Sequence, residues 1–206
     1  MKLLHSPVSP YVRKVMITLH EKGQAENVEL VSFSPIMPTD PIPQITEHNP
    51  LGKVPTLILP DGTRMVDSRV ISEYLDHRFG GPRLFPEAAA ERWDALTLMS
   101  IADGVPDAGI LVMLENVLRP EEARNAAWIK GQMTKVHNAV AAIEARVDPA
   151  SDRFQIGDVA TICALGWLDF RMPDLNWRDG HARLADWYET RSQRPSVLAT
   201  MPKPLA

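Results

Sequence analysis

With one cysteine, Cys163, in 206 residues, the chain can form no internal disulfide, no Cys-x-x-Cys redox pair and no multi-cysteine metal centre. A lone thiol fits a reducing compartment, and a cytoplasmic location is the expectation. The six histidines show neither His-x-x-x-His nor His-Glu-x-x-His spacing, so metal catalysis finds no support in the sequence. Positive charge is also scarce. Lys and Arg number 22 against 26 Asp and Glu, a net charge of -4, which excludes a general attraction to nucleic acid or anionic lipid. No apolar run approaches the ~20 residues of a membrane span, and Met1-Lys2-Leu3-Leu4-His5-Ser6-Pro7 is too short in apolar character for a signal segment. Neither nucleic acid nor membrane is expected as a partner, and there is no internal repeat or low-complexity tract.

The stretch that is present and most informative runs Asn49-Pro50-Leu51-Gly52-Lys53-Val54-Pro55-Thr56-Leu57. Pro55 can neither donate a ladder hydrogen bond nor sit inside a central strand, so it must begin the strand Thr56-Leu57-Ile58-Leu59. A proline at such a bend is a candidate for a cis peptide bond, which would turn the N–H and C=O of Val54 outward together to pair with an extended peptide. Pro60-Asp61-Gly62-Thr63 is a turn, Arg64-Met65-Val66 returns as a strand, and Asp67-Ser68 opens a helix carrying Val70, Ile71, Tyr74 and Leu75. Unpaired amides and a positive dipole end at that helix start suit a carboxylate, with the Ser68 hydroxyl as a further donor. A backbone edge beside a carboxylate site favours a small acidic peptide. Each residue taken singly also has a structural reading: Asp67 and Ser68 as caps, Pro55 as a strand start.

The order of elements predicts two domains. A strand at Lys2 to His5, a helix at Pro10 to Lys22 stopped by Gly23, and a strand at Val28 to Phe33 make a parallel pair with a right-handed crossover. The hairpin from Thr56 to Val66 and the helix from Ser68 to Phe79 complete a β-α-β, β-β-α unit over residues 1–79, a thioredoxin-like order. Ser34 to His48, with Pro35, Pro38, Pro41 and Pro43, reads as irregular with a short helix near its end. Residues 80–90 read as a linker, and 91–206 as an all-α bundle. Within the bundle a helix from Glu91 should kink or split at Pro106, a second should run from Pro120 to about Val147, and Ile156 to Asp169 is apolar nearly all round, as a buried central helix. The tryptophans at helical spacing are expected in the core, and Cys163 as inert core.

Ser9-Pro10 lies where the first strand hands over to the first helix, the end of such a sheet where ligands collect. Ser9 takes the N-cap position and Pro10 the first helical one, which could be their whole role. Alternatively the hydroxyl, held beside an electropositive helix end, could donate to a ligand thiolate. A free thiol has a pKa of ~8.5, and lowering it by about two units requires about 2.7 kcal/mol, within reach of one charged hydrogen bond plus the helix end. No base is needed beside Ser9, because the serine is not the nucleophile. His5 could line the same pocket, while Arg13 is expected to pair with an acid or cover the sheet.

These segments together resemble the cytosolic glutathione transferase family, in its serine-type bacterial form. Ser9-Pro10-Tyr11-Val12-Arg13-Lys14-Val15 resembles the family's active-site turn, Asn49 to Leu57 its glutathione-backbone motif, and Asp67 to Leu75 its γ-glutamyl segment. Gly157-Asp158-Val159-Ala160 resembles its helix-capping motif, and Leu184 to Tyr188 with Arg194-Pro195-Ser196 its C-terminal signature. The resemblance implies a homodimer with glutathione as co-substrate and no prosthetic group. Ser9 would stabilise the thiolate, Val54 beside a structural cis-Pro55 would pair with the cysteinyl backbone, Asp67 and Ser68 would hold the γ-glutamyl group, and Lys53 would approach a carboxylate. The second substrate, an electrophile, would sit in a cleft between the domains, with His5, Val112 and Met113 as candidate contacts. Gln155 stands where the capping motif usually has Ser or Thr, which predicts a weaker cap. Ser9 in place of a cysteine disfavours the reductase branches, and the isomerase branch's Ser-Ser-Cys run is missing. Dehalogenation, ether cleavage or peroxidase chemistry on the same thiolate, or a non-enzymatic interaction module, are the rival readings.

Overall fold

Leu3 and Leu4 point to opposite faces of β1 (Lys2–His5) and both are buried, the pattern of an inner strand covered on two sides. The computed structural model, which describes residues 1–33 and 42–202, places β1 inside a four-stranded sheet of order β2-β1-β3-β4. Helix α1 (Pro10–Glu21) carries the chain across to β2 (Glu29–Ser32), which pairs parallel to β1. After the short α2 (Pro43–Thr46), β3 (Thr56–Ile58) runs antiparallel to β1 and β4 (Arg64–Val66) antiparallel to β3. Helix α3 (Ser68–Arg78) follows at once. Leu3, Val15, Leu19, Val28, Leu57, Ile71 and Leu75 form the core beneath this sheet, giving the expected thioredoxin-like half. Of the expected proline-rich segment, 34–41 lies outside the described residues.

Two details of α3 depart from expectation. Its buried residues are Ser68, Ile71, Ser72, Leu75 and Asp76, at helical spacing, whereas Val70 is 53% exposed. The buried stripe therefore includes three polar side chains. Asp76 is satisfied by the segment after the helix: its carboxylate accepts from the Leu84 and Phe85 amides at 2.9 and 3.2 Å and from Lys22 Nζ at 2.6 Å. Lys22 Nζ also donates to the Pro82 carbonyl at 2.6 Å. Leu84 and Phe85 are buried as a result, so the stretch expected as a linker is fastened down at its centre.

The chain divides into two compact units: Met1–Phe85 joined by the segment from Arg194 onward, and Pro86–Gln193. The last segment was expected with the bundle, but it returns to the first unit because Glu21, at the end of α1, holds it. Arg194 donates to both Glu21 carboxylate oxygens at 2.7 Å, and Ser196 Oγ donates to the same carboxylate at 2.5 Å. Burial alone would raise the Glu21 carboxyl, but the hydrogen bonds from Arg194 and Ser196 prevail and hold it below its ordinary value. Helix α8 (Pro195–Leu198) follows, and Arg13 reaches it rather than an acid, donating from Nη2 to the Val197 carbonyl at 3.3 Å.

The second unit is all helical, as expected, with α4 (Ala89–Leu118), α5 (Ala126–Glu144), α6 (Ile156–Arg171) and α7 (Ala182–Ser192). Pro106 was expected to kink or split α4; the helix is not split there and runs on through it. A proline inside a helix costs about 3 kcal/mol, and here buried residues on both sides of it, Leu98 to Val112, pack against α5 and α6. Gly109 permits the approach to α6, since a Cβ there would lie 2.5 Å from the Trp167 ring. Helix α4 is also long and apolar enough to cross a membrane by length and composition, contrary to the sequence count, but half of its most apolar stretch is buried within the protein, as in a core helix. Helix α5 starts at Ala126 rather than Pro120 because Asn125 caps it, accepting from the Trp128 amide at 3.0 Å. Trp93 and Trp128 face outward, at 65% and 37% exposure, not into the core. Helix α6 is buried nearly all round, Cys163 included. Its cap is complete despite Gln155, whose side chain accepts from the Asp158 amide while Asp158 accepts from the Gln155 amide at 2.7 Å.

Replacing Glu21 by Gln should lower stability by about 1–3 kcal/mol at neutral pH, read as a lower urea midpoint. The carboxyl sits below its unfolded value, so its contribution is full above about pH 5 and is lost as the pH falls through the folded value. The gap between wild type and variant should persist from about pH 6 to 8 and close in acid, below the ordinary carboxylate value. Coincident midpoints at pH 7 would refute the clasp.

Candidate functional site

The sheet register gathers three connections at one end. Leu4 pairs with Thr56, and Thr56 with Val66. The residues just beyond that row are the turn after β1, the Val54-Pro55 bond before β3 and Asp67-Ser68 after β4. Ser9, Val54, Asp67 and Ser68 therefore leave the same end of three adjacent strands, although they are far apart in sequence.

In the first connection, the Ser9 amide donates to the Ser6 carbonyl at 3.2 Å, closing the turn. Ser9 is the α1 N-cap, and its Oγ accepts from the Val12 amide at 3.3 Å. With the amide proton directed at the oxygen, the hydroxyl's own proton remains available to a further acceptor. Ser9 is half-buried, so that acceptor can come from outside. His5, at the end of β1, is half-buried too, and its Nδ1 lies 3.3 Å from Ser32 Oγ. Burial lowers its pKa, which favours the neutral ring at physiological pH.

The second connection is built on Asn49, a buried residue. Its Nδ2 donates to the Lys53 carbonyl at 2.8 Å and lies 3.3 Å from Thr56 Oγ1, while its Oδ1 accepts from the Leu51 amide at 3.0 Å. Thr56 Oγ1 donates to the same Lys53 carbonyl at 3.0 Å. Gly52 adopts a positive φ of 62° at the top of this turn, with its hydrogen facing Thr46. The Val54-Pro55 bond that follows is cis. Among the described residues, the Val54 amide and carbonyl make no backbone hydrogen bond. The Lys53 side chain is exposed, whereas its carbonyl is the anchor of the turn.

In the third connection Asp67 has a positive φ of 51° and caps α3, its Oδ1 accepting from the Arg69 amide at 2.8 Å. Ser68 is buried, and its Oγ lies 3.3 Å from the Nζ of Lys14, a residue of α1 with no exposed surface. Sequence reasoning passed over both Asn49 and Lys14. A signal existed for the lysine: neither Arg13 nor Lys14 has an acid three or four residues away on α1, so neither can be explained by a surface pair along the helix. Val112 and Met113 lie on α4, Val112 buried and Met113 half-buried. A cavity of about 210 Å³ in the helical unit is lined by Asp94, Leu98, Arg146, Arg153, Gln155 and Asp158, and by neither of those two. No group of three or more metal-ligating side chains occurs among the described residues.

Residues 3–83 match the family described as Glutathione S-transferase, N-terminal domain, and residues 126–190 match Glutathione S-transferase, C-terminal domain. The chain belongs to the glutathione S-transferase family. This glutathione S-transferase is similar to a glutathione transferase family member from Pseudomonas fluorescens Pf-5, solved with bound glutathione, at 46% identity and a TM-score of 0.93 over 98% of both chains. A second structure from that source, with bound S-(propanoic acid)-glutathione, shares 45% identity with a TM-score of 0.89, covering 98% of this transferase and 100% of that chain. An uncharacterized GST-like protein of Escherichia coli K12, YibF, is 30% identical over 98% of each chain.

The Asn49 turn sets where β3 begins, so Asn49→Ala should leave the Lys53 carbonyl and the Leu51 amide short of a partner. A loss of about 1–3 kcal/mol is expected, measured as a lower thermal midpoint by circular dichroism. An unchanged midpoint would mean that water replaces the side chain without cost.

Proposed function

We propose that this chain is a glutathione transferase in which Ser9 stabilises the glutathione thiolate for attack on an electrophilic, hydrophobic second substrate. The observation that carries the proposal is the Ser9 hydroxyl, which accepts from the Val12 amide and keeps its proton for the sulfur. The start of α1 adds a positive end beside the thiolate, and the two effects together favour ionisation near neutral pH. Val54 would pair through its main chain with the cysteinyl residue, and Asp67 and Ser68 would receive the γ-glutamyl end. Lys53, exposed beside that row, would face a glutathione carboxylate. The thiolate then forms a carbon–sulfur bond with the electrophile, and the displaced group leaves with the electron pair. The Pseudomonas relative's S-(propanoic acid)-glutathione is a thioether of the kind such a reaction makes.

Ser9→Ala should lower kcat by about ten- to a hundredfold and raise the kinetic pKa of bound glutathione from about 6.5 toward ~8.5, with its KM little changed. Ser68→Ala should instead raise the glutathione KM. Full activity in the Ser9 variant would defeat the mechanism. Analysis of products from halogenated, aryl-ether and hydroperoxide substrates separates conjugation from dehalogenation, ether cleavage and peroxide reduction. In wild type, millimolar glutathione should raise the thermal midpoint. No shift would favour a binding module without catalysis.

A further inference from the structure

We infer that Lys14 is a positioning residue for the γ-glutamyl carboxylate of glutathione, acting through Ser68. The inference rests on the proposed placement of that carboxylate at the start of α3. An ammonium group has only donors, so the 3.3 Å contact between Lys14 Nζ and Ser68 Oγ runs in one direction, with nitrogen donating and oxygen accepting. The serine proton is thereby released to point away from the lysine. Ser68 becomes a donor of fixed orientation, and a carboxylate is the partner that needs one.

The second contribution is charge. Lys14 is wholly buried and Ser68 nearly so, so the positive charge acts through a poorly screened medium on the first turn of α3. Its sign matches that of the helix start, whose Arg69 amide is already taken by Asp67. Asp67 brings a negative charge to the same turn, and a ligand carboxylate beside it would be repelled without a nearby cation. Lys14 supplies that cation from behind, within the same unit, without touching the ligand. The arrangement repeats the logic of Ser9, where an internal donor occupies the oxygen and frees the proton.

The test uses the full-length protein with glutathione and with cysteinylglycine, which lacks the γ-glutamyl group. Lys14→Met should raise the glutathione KM and the glutathione Kd by about tenfold or more while kcat at saturation changes less than about twofold. Its Kd for cysteinylglycine should stay at the wild-type value. Ser68→Ala should weaken glutathione binding strongly in wild type and only slightly in the Lys14→Met background, because the two residues act as one unit. Lys14→Gln, which keeps an N–H donor without the charge, should fall between. Wild-type glutathione affinity in either folded Lys14 variant overturns the inference, as does an equal loss for both ligands. Failure of both variants to fold would assign Lys14 to the core alone and overturn it too. If wild type itself fails to bind glutathione, the placement of the carboxylate falls, whereas normal wild-type binding that is weakened only by Ser68→Ala leaves the placement standing and removes Lys14.

Discussion

The pairing of Leu4 with Thr56 and of Thr56 with Val66 is the constraint on which the rest of the site depends. A strand's side chains alternate, so a slip of one residue would turn Leu57 out of the core and carry the turn before β3 away from its neighbours. The register is held from the core side by Leu3, Leu57 and Ile71 and from the loop side by Asn49 and Thr56, which grip the Lys53 carbonyl from two directions. Hydrophobic burial chooses the face, and the hydrogen bonds choose the step.

Much of the first unit was legible because its signals are local. Pro55 cannot lie within a central strand, Gly62 marks the hairpin, and Asp67-Ser68 sits directly before an apolar helical pattern. Such features are decided within a few residues, and the observed elements follow them. Val54, Asp67 and Ser68, the candidate residues named on that basis, leave one end of the sheet.

What escaped the sequence depends on distance or on context. The Glu21–Arg194 pair joins residues 173 positions apart, and nothing near Arg194 announces that it leaves the bundle. Continuity of α4 through Pro106 reflects packing by two other helices, which outweighs a local rule. Gln155 caps α6 because its longer side chain still reaches the amide that a serine would have met. Lys14 was passed over beside Val12 and Val15, since a helix is ordinarily read as having one buried face. Here α1 is covered by both α3 and α8, and the lysine falls on the side where the start of α3 closes over it.

The return of the chain at Arg194 has a consequence for the order in which the molecule is made. The helical unit is spliced into the other, whose two pieces lie before and after it in sequence. During synthesis the sheet can pair early, but the clasp on α1 is missing until Arg194 and Ser196 leave the ribosome. The sheet unit, translated ahead of the helical one, is thus fastened only after the helical one has been made.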